Sequence, residues 1–393
     1  MAFKTLDDVE VRGKRVLLRE DLNVPMKQGG VADYTRIDAA VPTIERLADN
    51  GARVIILSHL GRPDGVRNEA FSLQPVAQAL SQRLGRPVIF IHDCIGQVAR
   101  DAVRELHDGA IVLLENVRFH RGEEQNDPAF AAELAALGDI YVNDAFGTAH
   151  RAHASTVGVA HLLPSYAGPL MADEIHALSS LIDAPEKPFV CIIGGAKVKD
   201  KVGVFTNLIE RVTAFCIGGG MANTFLAAQG LNVGNSLRDA DLSHATTILA
   251  LAQQRGVELH LPCDAVVAPS FDADDLAHVV PLADIGNEMI LDIGPASAAA
   301  YATVIEGAKT LVFNGPMGVY EKPAYRDGTR VVGQAIARAT ASGARSVVGG
   351  GDAAAAAQIL GFASQVSHIS TGGGATLEFL EGAILPGIAA LSC

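Results

Sequence analysis

The feature that most constrains this chain is a repeated alternation of short apolar runs with amphipathic segments of helical period. Runs such as 14–19 and 53–58 are almost continuously apolar after a basic start, which is typical of strands buried on both faces of a parallel sheet. Between them, residues 34–50 place Ile37, Ile44 and Leu47 on one face, with a glycine beyond the end. This alternation predicts an α/β fold with a doubly wound parallel sheet and right-handed crossovers.

The alternation runs twice, with an interruption rich in proline and glycine near residues 164–188. At 393 residues the chain exceeds one ordinary core, so two domains are expected. In the first part the pattern predicts strands at 14–19, 53–58, 87–91, 110–114 and 139–143, with helices near 34–50, 73–84, 97–106 and 128–137. In the second part it predicts strands at 188–193, 213–217, 257–261, 310–314, 345–349 and 366–370, with helices near 198–210, 221–229, 239–255, 296–307, 327–342 and 352–360. The region 262–294 is less regular and fits an antiparallel excursion.

Composition excludes several classes of function. The net charge of −13 and the absence of tryptophan argue against a nucleic acid bound over a broad surface. The five cysteines are odd in number, scattered and without a CxxC pair, which fits a reducing cytoplasmic compartment. Neither a signal peptide nor a membrane-spanning stretch is recognisable. Without a coiled-coil pattern we expect a monomer.

Basic residues in the first part follow the ends of predicted strands. The clearest stretch is 53–63, where an apolar run stops and His59, Gly61, Arg62 and a proline follow at once. Loops beyond the carboxyl ends of parallel strands are where α/β folds bind ligands. A solvated turn explains this stretch alone equally well. Several arginines in the same position, however, favour one site for a small anion.

Glycine turns follow predicted strands in the second part, at 194–195, 218–220, 315–318, 349–351 and 372–374. Glycine allows close approach of the backbone to a ligand, and the start of a following helix attracts anions. The set predicts a crevice for a nucleotide or polyphosphate, although tight packing explains any single turn. Neither GxxxxGK[ST] nor GxGxxG occurs, which speaks against a P-loop enzyme and a standard dinucleotide-binding domain. Lys197 and Lys201 would share one face of a helix beginning here, supplying charge for the anion.

Two acidic residues have both a structural and a functional interpretation. Asp352 follows three glycines at a predicted helix start, where it is either a plain N-cap or a carboxylate near magnesium carried by a nucleotide. Glu321 is either a surface residue or an acceptor of hydrogen bonds from a ribose.

Taken together, the motifs resemble the phosphoglycerate kinase family over essentially the whole chain. The matching blocks are Arg19–Pro25, Ser58–Pro63, Leu114–Phe119, Asp144–His153, Gly194–Lys201, Asn314–Glu321, Gly349–Asp352 and Ser370–Glu381. The resemblance implies reversible, magnesium-dependent phosphoryl transfer between 1,3-bisphosphoglycerate and ADP, giving 3-phosphoglycerate and ATP in glycolysis and gluconeogenesis.

The resemblance also implies roles for individual residues, which remain expectations at this point. The residues implied to hold phosphoglycerate are Asp21, Leu22, Asn23, Arg36, His59, Leu60, Gly61, Arg62, Arg118 and Arg151. Those implied to hold the nucleotide are Lys197, Lys201, Gly219, Asn314, Glu321, Gly350, Gly351, Asp352 and Ala353, with Asp352 near the magnesium ion. Arg36, Lys201 and the amides at Gly351 and Gly373 are implied to stabilise the transferring phosphoryl group. Where the family commonly has Thr or Ser, this chain has Ala353, so a hydroxyl contact is absent.

The implied architecture has two Rossmann-like lobes joined by a helical hinge. Residues 1–168 would form the phosphoglycerate lobe, 169–187 the hinge helix and 188–371 the nucleotide lobe, with 372–393 returning to the first lobe. Closure of the lobes would bring the two substrates together. Two alternatives from other classes are a nicotinamide-dependent dehydrogenase, disfavoured by the missing GxGxxG, and a non-enzymatic anion-binding protein with two lobes.

Overall fold

The computed structural model describes residues 3–392. These divide into two compact units. The first holds the described residues up to His176 together with the segment from Ile384 onward, and the second is Ala177–Ala383. The limits differ from the implied domains in two places. The division falls inside the predicted hinge helix, and residues 372–383 belong to the second unit.

The first unit is built on six parallel strands in the order β5-β6-β4-β1-β7-β8. Its strands are β1 Arg15–Arg19, β2 Met26–Lys27, β3 Gly30–Val31, β4 Arg53–Leu57, β5 Ile89–Ile91, β6 Ile111–Leu114, β7 Ile140–Asn143 and β8 Ser165–Ala167, of which β2 and β3 form a separate hairpin. Its helices are α1 Thr35–Asp49, α2 Gln74–Leu84, α3 Gly96–Arg104, α4 Arg121–Glu124, α5 Pro128–Ala135 and, near the C-terminus, α14 Pro386–Ala389. Helix α6 Pro169–Ile182 contains the division between the units.

The core of this unit explains why the apolar runs form strands. Val16 and Leu18 of β1 are fully buried with Val54 and Ile56 of β4, because helices on the sheet cover its faces. Strand β8 was not predicted, since it lies in the interruption rich in proline and glycine. Its three residues nevertheless pair with β7 and complete the sheet edge.

The second unit repeats this plan with six parallel strands in the order β11-β10-β9-β15-β16-β17. The strands are β9 Phe189–Ile193, β10 Ala214–Ile217, β11 Glu258–His260, β15 Thr310–Asn314, β16 Arg345–Val348 and β17 His368–Ile369. Its α-helices are α7 Val202–Leu208, α8 Gly219–Ala228, α9 Ser243–Arg255, α10 Pro295–Glu306, α11 Asp327–Ala341, α12 Gly351–Ile359 and α13 Gly374–Leu380. The prediction of an α/β fold with two parallel sheets is confirmed.

The irregular region 262–294 forms an antiparallel sheet of three strands, as the sequence indicated. Its strands β12 Asp264–Ala268, β13 His278–Pro281 and β14 Met289–Ile293 stand in the order β13-β12-β14. Within residues 3–392, no helix is long and apolar enough to cross a lipid bilayer.

Candidate functional site

The basic residues of the first unit gather at one edge of its sheet. Arg19 ends β1, while His59, Arg118 and Arg151 follow β4, β6 and β7. These four strands are adjacent in the order β6-β4-β1-β7. Because parallel strands end at the same edge, the topology brings together residues that are up to 132 positions apart in sequence. We call Arg36, His59, Arg62, Arg118 and Arg151 the basic wall.

The loops that carry this wall are held by polar contacts to one another. The Asn23 Oδ1 atom accepts a hydrogen bond from the Gly61 amide at 2.9 Å. A guanidinium nitrogen of Arg36 lies 2.6 Å from Asp21 Oδ2, in a half-buried ion pair. Leu22 and Leu60, both implied to touch substrate, are buried in the core. Their side chains therefore anchor the two loops.

Arg118 is the most enclosed arginine of the wall. Its guanidinium donates to the Gly61 carbonyl at 2.8 Å and lies 3.3 Å from Glu124 Oε1. Burial, together with the charges of Arg151 and Arg19, lowers its pKa to about 10. Burial is the largest cause of this shift, and the two neighbouring arginines add to it, so Arg118 is a desolvated cation that lies near other cations.

His59 contributes a neutral ring to the wall. It is buried, and its Nδ1 atom lies 3.2 Å from a guanidinium nitrogen of Arg19. Burial lowers the pKa of His59 well below its usual value, and the nearby arginines, Arg36 and Arg151 among them, act in the same direction. The ring is therefore neutral at neutral pH. His59 can still exchange hydrogen bonds with an anion.

Arg62 differs from its neighbours because its side chain is exposed. Among the described residues, no hydrogen bond or ion pair fixes it. It lies at the solvent end of the wall, where its charge is free to meet a ligand.

A buried network behind the wall was not anticipated from the sequence. Arg19 Nε donates to Ser155 Oγ at 2.9 Å, and that hydroxyl donates to Glu123 Oε1 at 2.7 Å. Glu123 also accepts the Ser155 amide at 2.9 Å and lies 3.6 Å from His153 Nδ1. Burial acts to raise the pKa of Glu123, but the contacts with His153, Arg19 and Ser155 prevail and lower it. Glu123 is therefore an anion that balances buried Arg19.

Glu20 and Asp144 form a second acidic feature beside Arg19. The Glu20 side chain is buried, and among the described residues its Oε1 atom has no hydrogen-bond partner. Burial and then the charge of Asp144 raise the pKa of Glu20 well above its ordinary value. Asp144 accepts a hydrogen bond from Thr43 Oγ1 at 2.6 Å, and burial raises its pKa to about 6. Burial and the charge of Asp144 thus both favour the protonated form of Glu20.

Glycine turns of the second unit also meet at one sheet edge. They follow β10, β9, β15, β16 and β17, which are neighbours in that order. Glycine is required by close packing at Gly194, where a Cβ atom would lie 1.9 Å from the Pro316 carbonyl oxygen. Gly350 has a φ of 98°, a conformation that other residues rarely adopt. At these glycines no side chain keeps a ligand away from the backbone of this sheet edge.

Lys201 lies among these glycine turns. Its Nζ atom donates to the Gly194 carbonyl at 2.8 Å and to the Asn314 carbonyl at 2.6 Å. Burial lowers its pKa to about 8, while the nearby carboxylate of Asp352 opposes the shift. Lys197 is exposed and precedes the 3-10 turn Val198–Lys201, so the prediction that it shares a helix face with Lys201 is wrong.

A cavity of about 690 Å³ opens beside these turns, wholly within the second unit. Apolar side chains such as Leu237, Leu291 and Val319 line most of it, and Gly219 contributes bare backbone. Asp292, Glu321 and Asp352 are its acidic lining residues. An apolar cleft of this size with a few polar groups is typical of a site for a heterocyclic small molecule.

Helix α12 begins at the rim of this cavity. Its N-cap is Gly350, so the interpretation of Asp352 as the N-cap is wrong. Asp352 lies in the first turn and is exposed, whereas Ala353 is buried against the core. Asn314 Nδ2 donates to the Gly349 carbonyl at 2.8 Å, and its buried Oδ1 atom has no hydrogen-bond partner among the described residues. The free amides of this helix start can receive an anion.

The last glycine turn precedes α13. Gly373 is its N-cap with a φ of 53°, and Ser370 Oγ lies 2.5 Å from Thr376 Oγ1. The turn therefore has a fixed backbone conformation next to the end of β17.

Comparisons with known proteins agree with this arrangement. A sequence model of the family described as phosphoglycerate kinase matches residues 6–383. The phosphoglycerate kinase of Moorella thermoacetica is 54% identical over 394 residues, covering 100% of this chain and 100% of that protein. The phosphoglycerate kinase of Zymomonas mobilis is 51% identical over 395 residues, again covering 100% of both.

Two solved structures are similar over nearly their whole length. Phosphoglycerate kinase from Coxiella burnetii matches with a TM-score of 0.91 and 44% identity, covering 99% of each chain. The enzyme from Pyrococcus horikoshii matches with a TM-score of 0.85 and 34% identity, covering 99% of this chain and 98% of that one. Because these matches span both the basic wall and the glycine turns, the chain belongs to the phosphoglycerate kinase family.

Proposed function

We propose that this chain catalyses reversible phosphoryl transfer between 1,3-bisphosphoglycerate and ADP, giving 3-phosphoglycerate and ATP in glycolysis and gluconeogenesis. It is a kinase with a carboxyl group as acceptor. The observation that carries the proposal is the convergence of Arg36, Arg118 and Arg151 around neutral His59. The positive charge of each guanidinium lowers the pKa of the same imidazole. Such a site suits a small ligand with two anionic ends.

The basic wall is the proposed phosphoglycerate site. Arg118 and Arg151 bind the phosphate, which fits two cations close enough for the charge of Arg151 to lower the pKa of Arg118. Arg36 binds near the reacting carboxylate, with Asp21 holding its guanidinium at 2.6 Å. Arg62 supplies a further charge from the solvent side. Asn23, His59 and the backbone of Leu22, Leu60 and Gly61 complete the set by hydrogen bonds.

The cavity of the second unit is the proposed nucleotide site. Its apolar walls take the base, Gly219 allows close approach of the backbone, and Glu321 accepts hydrogen bonds from the ribose. Lys201 and the amides of Gly350, Gly351 and Ala353 face the phosphates. Lys197 and Asn314 add polar contacts around them.

Magnesium fits the donors that this site offers. Asp352 presents an exposed carboxylate in the cavity lining, and oxygen is the ligand that magnesium prefers. Asp352 would hold the ion together with the nucleotide phosphates. The ion neutralises phosphate charge when bound.

Phosphoryl transfer requires the protein to align the two substrates and to neutralise the charge on the phosphoryl group. The acceptor carboxylate is already ionised at neutral pH, so no general base is required. Arg36 and Lys201 stabilise the charge on the transferring phosphoryl group, together with the amides of Gly351 and Gly373. The two substrates must meet with water excluded, and we propose hinge closure for that step, with residues 164–188 as the first hinge and residues 371–376 as the second. We further propose that the enzyme acts as a cytoplasmic monomer.

A coupled assay with Mg-ATP tests the proposal. ADP should form only when 3-phosphoglycerate is present. A dehydrogenase would reduce a nicotinamide cofactor instead, and a binding protein would bind the anion without turnover. Arg36→Ala should abolish most activity, whereas Arg46→Ala, an exposed position on the same helix, is the matched control. Equal activity in the two variants would overturn the assignment of the basic wall.

A further inference from the structure

Asp93, Cys94 and His120 form a group of potential metal ligands outside the basic wall and the cavity. Within residues 3–392, it is the one set of three such residues in which the ligand atoms all lie within 4.8 Å of one another. Asp93 and Cys94 lie in the turn between β5 and α3, and His120 follows β6. Strands β5 and β6 are paired neighbours, so the sheet brings the two turns together.

Two of the three side chains are already oriented. The His120 Nε2 atom lies 2.8 Å from Asp93 Oδ1, and the imidazole stacks on Phe130 with ring centroids 5.2 Å apart. Asp93 Oδ1 also accepts the Cys94 amide at 2.7 Å, which fixes the turn. A preset imidazole and carboxylate reduce the conformational entropy lost when a metal binds.

Cys94 supplies the unusual member of the group. Its side chain is completely buried and its thiol is free. Among the described residues, no hydrogen bond engages the sulfur. Glu115 and Glu123 lie close enough to act on it electrostatically, in addition to Asp93. Glu115 pairs with Arg67 and Glu123 balances Arg19, so Asp93 is the carboxylate beside the thiol that a cation would meet.

We propose that Asp93, Cys94 and His120 form a binding site for Zn²⁺. Nitrogen, sulfur and carboxylate oxygen are the donors that zinc takes in proteins. A thiolate ligand selects against magnesium, which prefers oxygen alone. On binding, the thiol proton of Cys94 leaves to solvent and a Zn–S bond forms. The proton that His120 Nε2 donates to Asp93 Oδ1 moves through solvent to Nδ1, so that Nε2 can bind the ion. Water fills the fourth position.

The geometry requires only small side-chain movements. Around a tetrahedral ion with bonds of about 2.0–2.3 Å, donor atoms stand roughly 3.4 Å apart. The Asp93–His120 pair therefore opens slightly, and the sulfur moves toward it. The side chains of His120 and Asp93 are 30% and 45% exposed, which gives the ion a path from solvent.

Cobalt substitution tests this site directly on the full chain. Protein freed of metal with a chelator is titrated with Co²⁺, which reports tetrahedral coordination by visible absorption and thiolate ligation by near-ultraviolet absorption. We expect one Co²⁺ per chain with both signals, and their loss when Zn²⁺ is added. Absence of the thiolate band in the wild-type protein would overturn the proposal.

Variants assign the ligands. Cys94→Ser should lose the thiolate band, and His120→Gln should weaken Co²⁺ binding about tenfold or more. Cys263→Ser, at an exposed cysteine of the second unit, should change neither. Circular dichroism checks that each variant is folded. If Cys94→Ser does not fold, the Co²⁺ affinity of His120→Gln tests the proposed site. A thiolate band that survives in folded Cys94→Ser, or full affinity in His120→Gln, would refute the assignment.

Discussion

The substitution Lys201→Met separates a catalytic role from a structural one. The ammonium group lies between two backbone carbonyls, at 2.8 Å from the Gly194 oxygen and 2.6 Å from the Asn314 oxygen. Its pKa is lowered from 10.5 to about 8, chiefly by burial. The protonated form is thus disfavoured by on the order of 3 kcal/mol relative to a lysine in water. The fold therefore holds this charge at a cost in stability.

Two opposite effects follow from the loss of this charge. If Lys201 stabilises the transferring phosphoryl group, Lys201→Met should lower kcat by about 10²–10³, or about 3–4 kcal/mol of barrier. The free energy of unfolding should stay the same or rise, because a buried ammonium is removed. The wild-type unfolding free energy should also increase from pH 8 toward 10.5, where the unfolded chain binds the proton that the folded lysine has lost. Lys201→Met should lack that increase.

Steady-state kinetics in the ATP-consuming direction and urea unfolding measure the two effects. In the wild type, kcat/KM for the nucleotide should fall as pH rises through about 8, and the variant should lack this limb. Lys199→Met is the matched control, since Lys199 is exposed in the same turn. If Lys201→Met turned over as fast as Lys199→Met, the role given to this lysine would be refuted.

Three further substitutions test other parts of the structure. Arg36→Ala should lower kcat by about 10²-fold or more while equilibrium binding of the nucleotide stays unchanged, so a change confined to nucleotide affinity would contradict its position on the basic wall. Glu123→Gln leaves Arg19 without its buried counter-ion and should reduce the free energy of unfolding at pH 7 by about 3–5 kcal/mol, as measured in urea; no loss would mean that the network behind the wall is dispensable. Glu20→Gln should raise the thermal unfolding temperature increasingly as pH rises above 4.5, because the raised pKa of Glu20 makes the folded wild type hold a proton that the unfolded chain releases; a pH-independent difference would exclude a neutral Glu20.

The sequence located most strands because each is buried on both faces and is therefore a continuous apolar run. The run predicted at 310–314 is β15, Thr310–Asn314, and that at 188–193 is β9, Phe189–Ile193. Residues after such strands could be grouped without a structure, since parallel strands end at one edge. The grouping of the basic wall and the grouping of the glycine turns were both predictable for that reason.

The chemistry of individual side chains was less predictable, because it depends on burial and on distant partners. His59 looked basic in the sequence, but burial among arginines keeps it neutral. Glu123 accepts a hydrogen bond from Ser155, which lies 32 positions away, and no local spacing in the sequence indicates this contact. Strand β8 was missed because pairing with β7 overrides the weak propensity of a segment flanked by proline and glycine.

Trapping the product tests most directly whether this chain phosphorylates a carboxylate. An acyl phosphate reacts with hydroxylamine to give a hydroxamate, whereas a phosphate ester does not. With Mg-ATP, 3-phosphoglycerate and hydroxylamine, we predict hydroxamate in an amount equal to the ADP formed, and neither product without 3-phosphoglycerate. ADP formed without hydroxamate, or no ADP at all, would show that the chain does not phosphorylate the carboxylate of 3-phosphoglycerate.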